Sequence, residues 1–411
     1  MKILLLNQTF YPDVVSTAQH LADLAQELTR RGHEVSVITS RRAYDNPHKR
    51  YPSSEMWRGI RIQRIGSTGF GKSAKWRRAV DFASFILACS TRLLTQRRPD
   101  LVVALTSPPL ISFIGALYAM VRRCRFFYWV MDLNPDEAVA AGWLRKGSTA
   151  ERVLDWMSHF SLNRARGIIA LDQFMAQRIR IKGIDPERIV VIPPWTHDSA
   201  ARFDGVGREA FRRAHGLEDK FVIMYSGNHS PCHPLDTLMG AARLLRDDPR
   251  FVFLFVGGGS EQKRVKLFAT EQGLPQVRCL PYQPLEHLAG SLCAADLHVV
   301  VMGDPFVGII HPCKIYNILA VGAPFLYIGP AQSHISDLMR ELPVSPLYSR
   351  VGHGQADRVV DFIRQLEKRK EPPKSGRFEE VAGRFSQERL LTRQVDWLTR
   401  MGKREAVSAK R

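Results

Sequence analysis

Short runs of β-branched and aromatic residues alternate along the chain with segments whose apolar residues return every three or four positions, and this alternation occurs twice. Runs bounded by polar turns read as strands and the three-to-four spacing as amphipathic helices, so each series predicts parallel βαβ units. The first series is KILLLN (2–7), EVSVIT (34–39), LVVAL (101–105), FFYWVMD (126–132), GIIAL (167–171) and IVVIPP (189–194). The second is FVIMYSGN (221–228), FVFLFVGGG (251–259), VRCLPY (277–282), LHVVVM (297–302) and APFLYIG (323–329). The helix between the first two strands shows the local logic. Leu21, Leu24 and Leu28 share a face, Arg30 and Arg31 occupy the last turn, and Gly32 stands where a left-handed cap is needed before the next strand.

Between the series lies a polar stretch with proline and glycine, 193–207, which reads as a linker. The expected fold is therefore α/β, with two Rossmann-like doubly wound domains at 1–195 and 208–385 and a terminal helix with a basic tail at 386–411. Ligand is expected at the carboxyl ends of the strands, in a central cleft where the two domains face each other.

A length of 411 residues suits two cores, and 45% apolar residues can fill both. The 59 Lys and Arg against 40 Asp and Glu leave +19, which points to an acidic partner: a phosphorylated ligand, an anionic membrane or a nucleic acid. The positive charge is spread over helices and tail instead of being interleaved with aromatics in one stripe, so nucleic acid is not the expected partner. The six cysteines are scattered, as reduced cytosolic thiols would be, and the opening MKILLLN is too short for a signal core. The most apolar run, PPLISFIGALYAMV (108–121), falls short of the ~18–20 residues a spanning helix needs. It is followed by RRCR (122–125), and KSAKWRR (72–78) introduces a second apolar run. Both can rest on an anionic membrane face or simply pack on a sheet.

Several chemistries are excluded by what the loops lack. The loop after the first strand, QTFYPDVVST (8–17), holds no glycine, so the G-x-G-x-x-G turn of nicotinamide and flavin enzymes is absent, as are a Walker loop and a G-x-S-x-G elbow. Polar and small residues concentrate instead in the second half. YSGN (225–228) ends one strand, and Gly227 would admit a phosphate to the backbone amides, with Asn228 beside it and His233 as a possible donor to a phosphate oxygen. GGG (257–259) ends the next strand in the same way, and an ordinary strand-to-helix turn would look alike. GIIHPCKIYNILAVG (308–322) gathers His311, Cys313 and Lys314 ahead of an apolar helix. Taken alone it fits a metal site, a nucleophile or an anion pocket. In the first half, Asp132 and Asp136 close the strand FFYWVMD and its loop, where a cleft residue or a helix cap is equally placed.

Together KILLLNQTFYPD, RRGHEVSVIT, YSGN, LFVGGG and PCKIYNILAVGAP, which span most of the chain, resemble the family-4 glycosyltransferases of GT-B fold. The likeness is to the branch that builds bacterial capsule, colanic-acid-like exopolysaccharide and O-antigen. It implies a nucleotide-sugar donor held mainly by the second domain, an acceptor presented by the first, retention of anomeric configuration and no cofactor. Many members carry two Glu residues eight apart, whereas the matching positions here, near Ile309 and at Asn317, hold no acid. The usual diphosphate-neutralising Arg and Lys match Asn228 and His233.

The resemblance implies a hexosyl or N-acetylhexosaminyl transfer from a UDP-sugar to a lipid-linked or oligosaccharide acceptor, and the apolar runs beside basic clusters lead to the expectation of a cytoplasmic protein peripheral on the inner face of the plasma membrane. Asp132 would orient or deprotonate the acceptor. Lys314, charged at its ordinary pKa near ~10.4, would serve with His233 and the Gly227 and Gly258 amides against the departing diphosphate. Asn317 would hold the ribose, while Asn228, Asp136 and His311 would line the site. Three alternatives stand beside this one: a sugar-nucleotide epimerase, a non-catalytic scaffold with the same fold, and a zinc site. The last would draw on His229, Cys232, His233, His311 and Cys313, whose spacing matches no standard finger.

Overall fold

The computed structural model describes residues 1–44, 48–70, 75–196, 202–369, 373–374 and 376–403. The chain forms two compact units. One comprises Met1–Pro194 with Gly308–His311 and Glu388–Arg411, and the other Trp195–Val307 with Pro312–Gln387.

The first unit is built on an eight-stranded sheet. Its strands are β1 (Lys2–Leu6), β2 (Glu34–Ser40), β3 (Ser54–Trp57), β4 (Ile60–Ile65), β5 (Leu101–Ala104), β6 (Arg125–Trp129), β7 (Gly167–Ala170) and β8 (Ile189–Val191). They lie in the order β3-β4-β2-β1-β5-β6-β7-β8, and only β3 runs antiparallel to its neighbour. Every residue of β5 and β7 is buried, as a parallel sheet covered on both faces requires. The β3–β4 hairpin is not anticipated by the strand pattern. Its turn is Arg58-Gly59, both with positive φ (49° and 81°), so an arginine stands where Asn or Asp usually precedes glycine. β4 (IRIQRI) also carries three polar side chains in six positions.

The terminal helix Gln387–Lys403 belongs to this unit for all but its first residue. Trp397 meets Phe127 of β6 edge to face, with ring centroids 5.6 Å apart, and a side chain on Gly167 at the head of β7 would overlap the Trp397 ring. The basic tail beyond Lys403 lies outside the described residues.

The second unit carries a six-stranded, wholly parallel sheet. Its strands are β9 (Phe221–Asn228), β10 (Phe251–Gly258), β11 (Val277–Leu280), β12 (Leu297–Val301), β13 (Phe325–Ile328) and β14 (Tyr348–Val351), in the order β11-β10-β9-β12-β13-β14. β14 (YSRV) is an edge strand with a polar centre, and for that reason it carries no strand signal in the sequence. Ile223 and Tyr225 face one core with Phe253 and Phe255, while Val222 and Met224 face the other with Val252 and Leu254. Chain order reverses at β9, between β10 and β12, which marks its carboxyl end as the place for ligand in such a sheet. Within the expected linker, Asp204 caps a helix, Gly205–Ala214, by accepting from the Gly207 amide, and residues 197–201 lie outside the described set.

Candidate functional site

Two groups of candidate residues are described separately, one in each unit.

In the second unit the strand ends converge because glycine removes the side chains that would keep them apart. Gly257 pairs with Gly227, and Gly258 with Asn228. A Cβ on Gly257 would overlap the Gly227 carbonyl, and one on Gly259 the His229 carbonyl. Both glycines, and Gly227, have φ between 124° and 137°, a region closed to other residues. The His229 amide then donates to the Gly258 carbonyl at 2.8 Å, which locks the loop after β9 onto the end of β10. Asn228 is exposed at this edge.

Lys314 opens the helix Lys314–Ala320 and sends its side chain into this junction. Nζ lies 3.5 Å from the centroid of the Tyr225 ring and close enough to Gly227 that a Cβ there would touch Cε and Nζ at 3.4 Å. Its stem is partly exposed, but Nζ is enclosed and has no hydrogen-bond partner. A ring face offers a cation about 0.5–2 kcal/mol, far less than the loss of water costs it. Burial accordingly pushes the Lys314 amine down to about 7, with Cys313 opposing weakly. The expectation that this lysine keeps its ordinary pKa is corrected here. It was drawn from residue type, and enclosure without a counter-ion overrides it.

Three imidazoles lie within electrostatic reach of the amine. His229 is wholly buried with neither ring nitrogen hydrogen-bonded in normal geometry, and burial followed by the Lys314 charge lowers its pKa to about 4. His233 is pushed down to about 3 by burial and then Lys314, and His298 to about 4, again chiefly by burial. All three are neutral at pH 7. His233 was expected to donate to a phosphate oxygen, and that role is also corrected. Its Nδ1 donates to the Val301 carbonyl at 2.7 Å, so in the neutral ring Nε2 is an acceptor. Asn317 lies one turn along from Lys314, half-buried and with no side-chain hydrogen bond to a described residue.

In the first unit, Asp132 follows β6 and is half-buried there. Burial, and next the charge of Glu137, raise its carboxyl far above the usual carboxylate range. It caps no helix, since the helix Asp136–Ala140 begins after Pro135 without a side-chain cap. Asp136, expected to bind substrate, is instead held 3.0 Å from Lys182 Nζ, which also reaches Asp155 at 2.9 Å. Its carboxylate is committed to that ion pair. His311 is likewise withdrawn from the expected lining role. Its side chain is enclosed, with Nδ1 2.7 Å from Asp172 Oδ2, and Asp172 also caps the helix Gln173–Ile181. The Ile309 carbonyl accepts the Leu133 amide at 2.9 Å, which seats GIIH beside the Asp132 loop. A hollow of about 280 Å³ in this unit, bordered by Arg123, Cys124 and Arg164 among others, includes none of the candidate residues.

Sequence reasoning named Lys314, Gly227 and Gly258 but missed the Tyr225 ring beneath the amine and the part played by Glu137 beside Asp132. Period-two alternation along β9 could have signalled the first, because it puts Tyr225 on the same face as Ile223.

Two Rossmann-like units, each on a largely parallel sheet, define the GT-B architecture. Solved structures share it over nearly the whole chain. An Anabaena HepE structure in complex with UDP and glucose has a TM-score of 0.71 at 17% identity, covering 97% of this chain and 100% of that one. Sucrose-phosphate synthase of Thermosynechococcus elongatus has 0.75 at 14%, covering 98% and 99%. Residues 17–195 match the family described as "Glycosyl transferase 4-like domain", and residues 207–304 match "Glycosyl transferases group 1". The chain is 26% identical over 365 residues to a putative colanic acid biosynthesis glycosyl transferase, WcaI, of Escherichia coli, covering 84% of this chain and 87% of that protein. It is 26% identical over 249 residues to a probable glycosyltransferase, WbjE, of Pseudomonas aeruginosa, covering 60% and 61%. The chain belongs to the family-4 glycosyltransferases of GT-B fold.

Proposed function

We propose that this glycosyltransferase moves a hexosyl or N-acetylhexosaminyl group from a UDP-sugar to a hydroxyl of a lipid-linked or glycan acceptor, with retention, in bacterial cell-surface polysaccharide synthesis. The bond from the sugar's anomeric carbon to the diphosphate oxygen breaks and one to the acceptor oxygen forms, while the bond pair leaves with the diphosphate. The observation that carries the donor assignment is the Lys314 amine, enclosed and unpartnered beside Gly227. A buried polar group without a partner costs free energy that a bound anion would recover. Asp132, with its raised pKa, is suited to accept the acceptor's proton. Asn317 is assigned to the ribose.

The polysaccharide context rests on the likeness to WcaI and WbjE, and the nucleotide on the UDP complex of HepE. Membrane contact is supported by an exposed apolar stripe on the helix Lys75–Leu94, where Trp76, Val80, Leu87 and Leu94 lie at helical spacing. Basic residues, among them Arg77, Arg97 and Arg98, lie along the same segment. Among the described residues no helix is long and apolar enough to cross a membrane.

The test is mass spectrometry of products from a panel of nucleotide sugars and polyprenyl-diphosphate glycan acceptors, with the anomeric configuration read by NMR. One donor is expected to yield a glycosylated acceptor, and Lys314→Ala to cut turnover by orders of magnitude. Near wild-type turnover in that variant would remove the diphosphate assignment. UDP binding without product would instead favour a non-catalytic scaffold, to which the missing acids at Ile309 and Asn317 lend support. Co-sedimentation with phosphatidylglycerol vesicles but not with phosphatidylcholine vesicles, lost in Trp76→Ser/Leu87→Ser, tests the membrane face.

A further inference from the structure

We infer that Lys314 gives up its proton in the empty site above neutral pH and takes one up again as the diphosphate arrives, so that donor binding there is proton-linked. This rests on the donor reading above and adds the charge state to it.

The geometry makes the case. Nζ is enclosed, has no hydrogen-bond partner and lies over the Tyr225 ring. The titratable groups that face it are Tyr225 on β9, His229 and His233 on the following loop, His298 on β12 and Cys313 beside it in the chain. None is a carboxylate. The three histidines are themselves held neutral by burial, and the Tyr225 phenol is pushed well above its usual range by burial. Among the described residues nothing in this shell supplies the negative charge that would keep an ammonium in a dry site, and the amine is accordingly lowered to about 7. A sugar-linked diphosphate carries two negative charges at neutral pH and no titrating proton of its own. Set against Nζ, it would supply the missing counter-ion and restore the ammonium. The balance is one diphosphate bound and, well above neutral pH, one proton taken from solvent.

The dependence has a definite sign. Below neutrality the free amine is already protonated, uptake falls toward zero, and affinity is at its plateau. Above it, each pH unit should weaken binding about tenfold, until the amine of the bound state itself begins to titrate.

Two measurements test this on the full chain. The first follows the Lys314 Cε resonance in protein carrying 13C-labelled lysine, without ligand, and assigns it by its disappearance in Lys314→Arg. A midpoint near neutral pH is expected, and a midpoint near that of exposed lysines overturns the inference whether or not donor binds. The second is calorimetric titration with UDP-glucose at pH 8.5 in HEPPS and in Tris, whose ionisation enthalpies differ. Wild type should take up close to one proton per mole bound, and Lys314→Arg none. Binding by wild type without uptake overturns the inference and leaves the donor reading standing. A near-neutral midpoint combined with no binding of UDP-, ADP- or GDP-sugars at any pH overturns the donor reading, and the linkage with it.

Discussion

Lys314→Met should make the protein more stable while removing its donor affinity. An amine of ordinary pKa 10.5 that is lowered to about 7 in the folded chain costs ~4 kcal/mol of folding free energy at pH 7, at 1.36 kcal/mol for each pH unit. The Tyr225 face returns about 0.5–2 kcal/mol to the ammonium, so the net gain from methionine is on the order of 2–3 kcal/mol. The unfolded chain holds the lysine proton up to about pH 10.5 while the native site gives it up near 7. Between those values the unfolded state binds more protons, so native stability rises with pH and the penalty, full below 7, fades toward 10.5. Methionine removes that penalty. The gain over wild type should therefore be largest at pH 6–7 and shrink steadily by pH 9. Scanning calorimetry of both proteins across this range, following the transition of the second unit, checks it. An unchanged or lower midpoint for Lys314→Met at pH 6–7, or a gain that ignores pH, would refute the picture of a dry, unpaired amine.

Other outcomes follow from the same geometry. Asp132→Asn should lower kcat by about 10²–10⁴. Because burial and Glu137 raise the Asp132 carboxyl, the rate should fall as pH drops through an acid limb well above the usual carboxylate range, and Glu137→Gln should move that limb to lower pH in a pH–rate profile. Gly259→Ala places a methyl group against the His229 carbonyl at a φ of 137°, so a loss of at least ~1–3 kcal/mol and of nucleotide binding is expected in denaturation and titration. Gly383→Ala, with open space and ordinary φ, should stay within about 0.5 kcal/mol. Gly167→Ala overlaps the Trp397 ring and should loosen the terminal helix from the first unit, read as faster amide exchange across Gln387–Lys403.

The strands that read clearly in the sequence are those with nothing polar to offset burial. FVFLFVGG became β10 because both faces of a parallel sheet are covered, and a continuous apolar run is the only pattern that satisfies both. IRIQRI and YSRV carry polar residues at the sheet margins, and their strand character comes from pairing partners that no local pattern reports. The site divides the same way. Gly227, Gly257 and Gly259 announce themselves because the backbone there admits no side chain. Residue type alone misleads for Asp136, His233 and His311. The first is claimed by Lys182, the second by the Val301 carbonyl and the third by Asp172, all distant in sequence. Lys314 is the sharpest case: its identity was legible, its charge was not, because that depends on which groups fail to surround it.

The two missing acids and the neutral lysine are then connected. Asn317 lies three positions along the helix from Lys314, a spacing that brings Cβ atoms to about 5–6 Å. A carboxylate there would attract the ammonium by ~3 kcal/mol at an effective dielectric of about 20, enough to raise the amine by roughly two pH units. The family's usual Glu at this place would therefore hold the lysine charged before donor arrives, whereas Asn317 cannot. Asn317→Glu should accordingly move the Lys314 Cε titration from near neutral to about pH 9 and cut proton uptake on UDP-glucose binding at pH 8.5 to roughly a quarter of a proton. Affinity at pH 7 should also fall, since the diphosphate must now compete with a resident carboxylate. A Cε midpoint unchanged in Asn317→Glu would mean that the two side chains do not meet, and the missing acid would then have no bearing on the charge of this site.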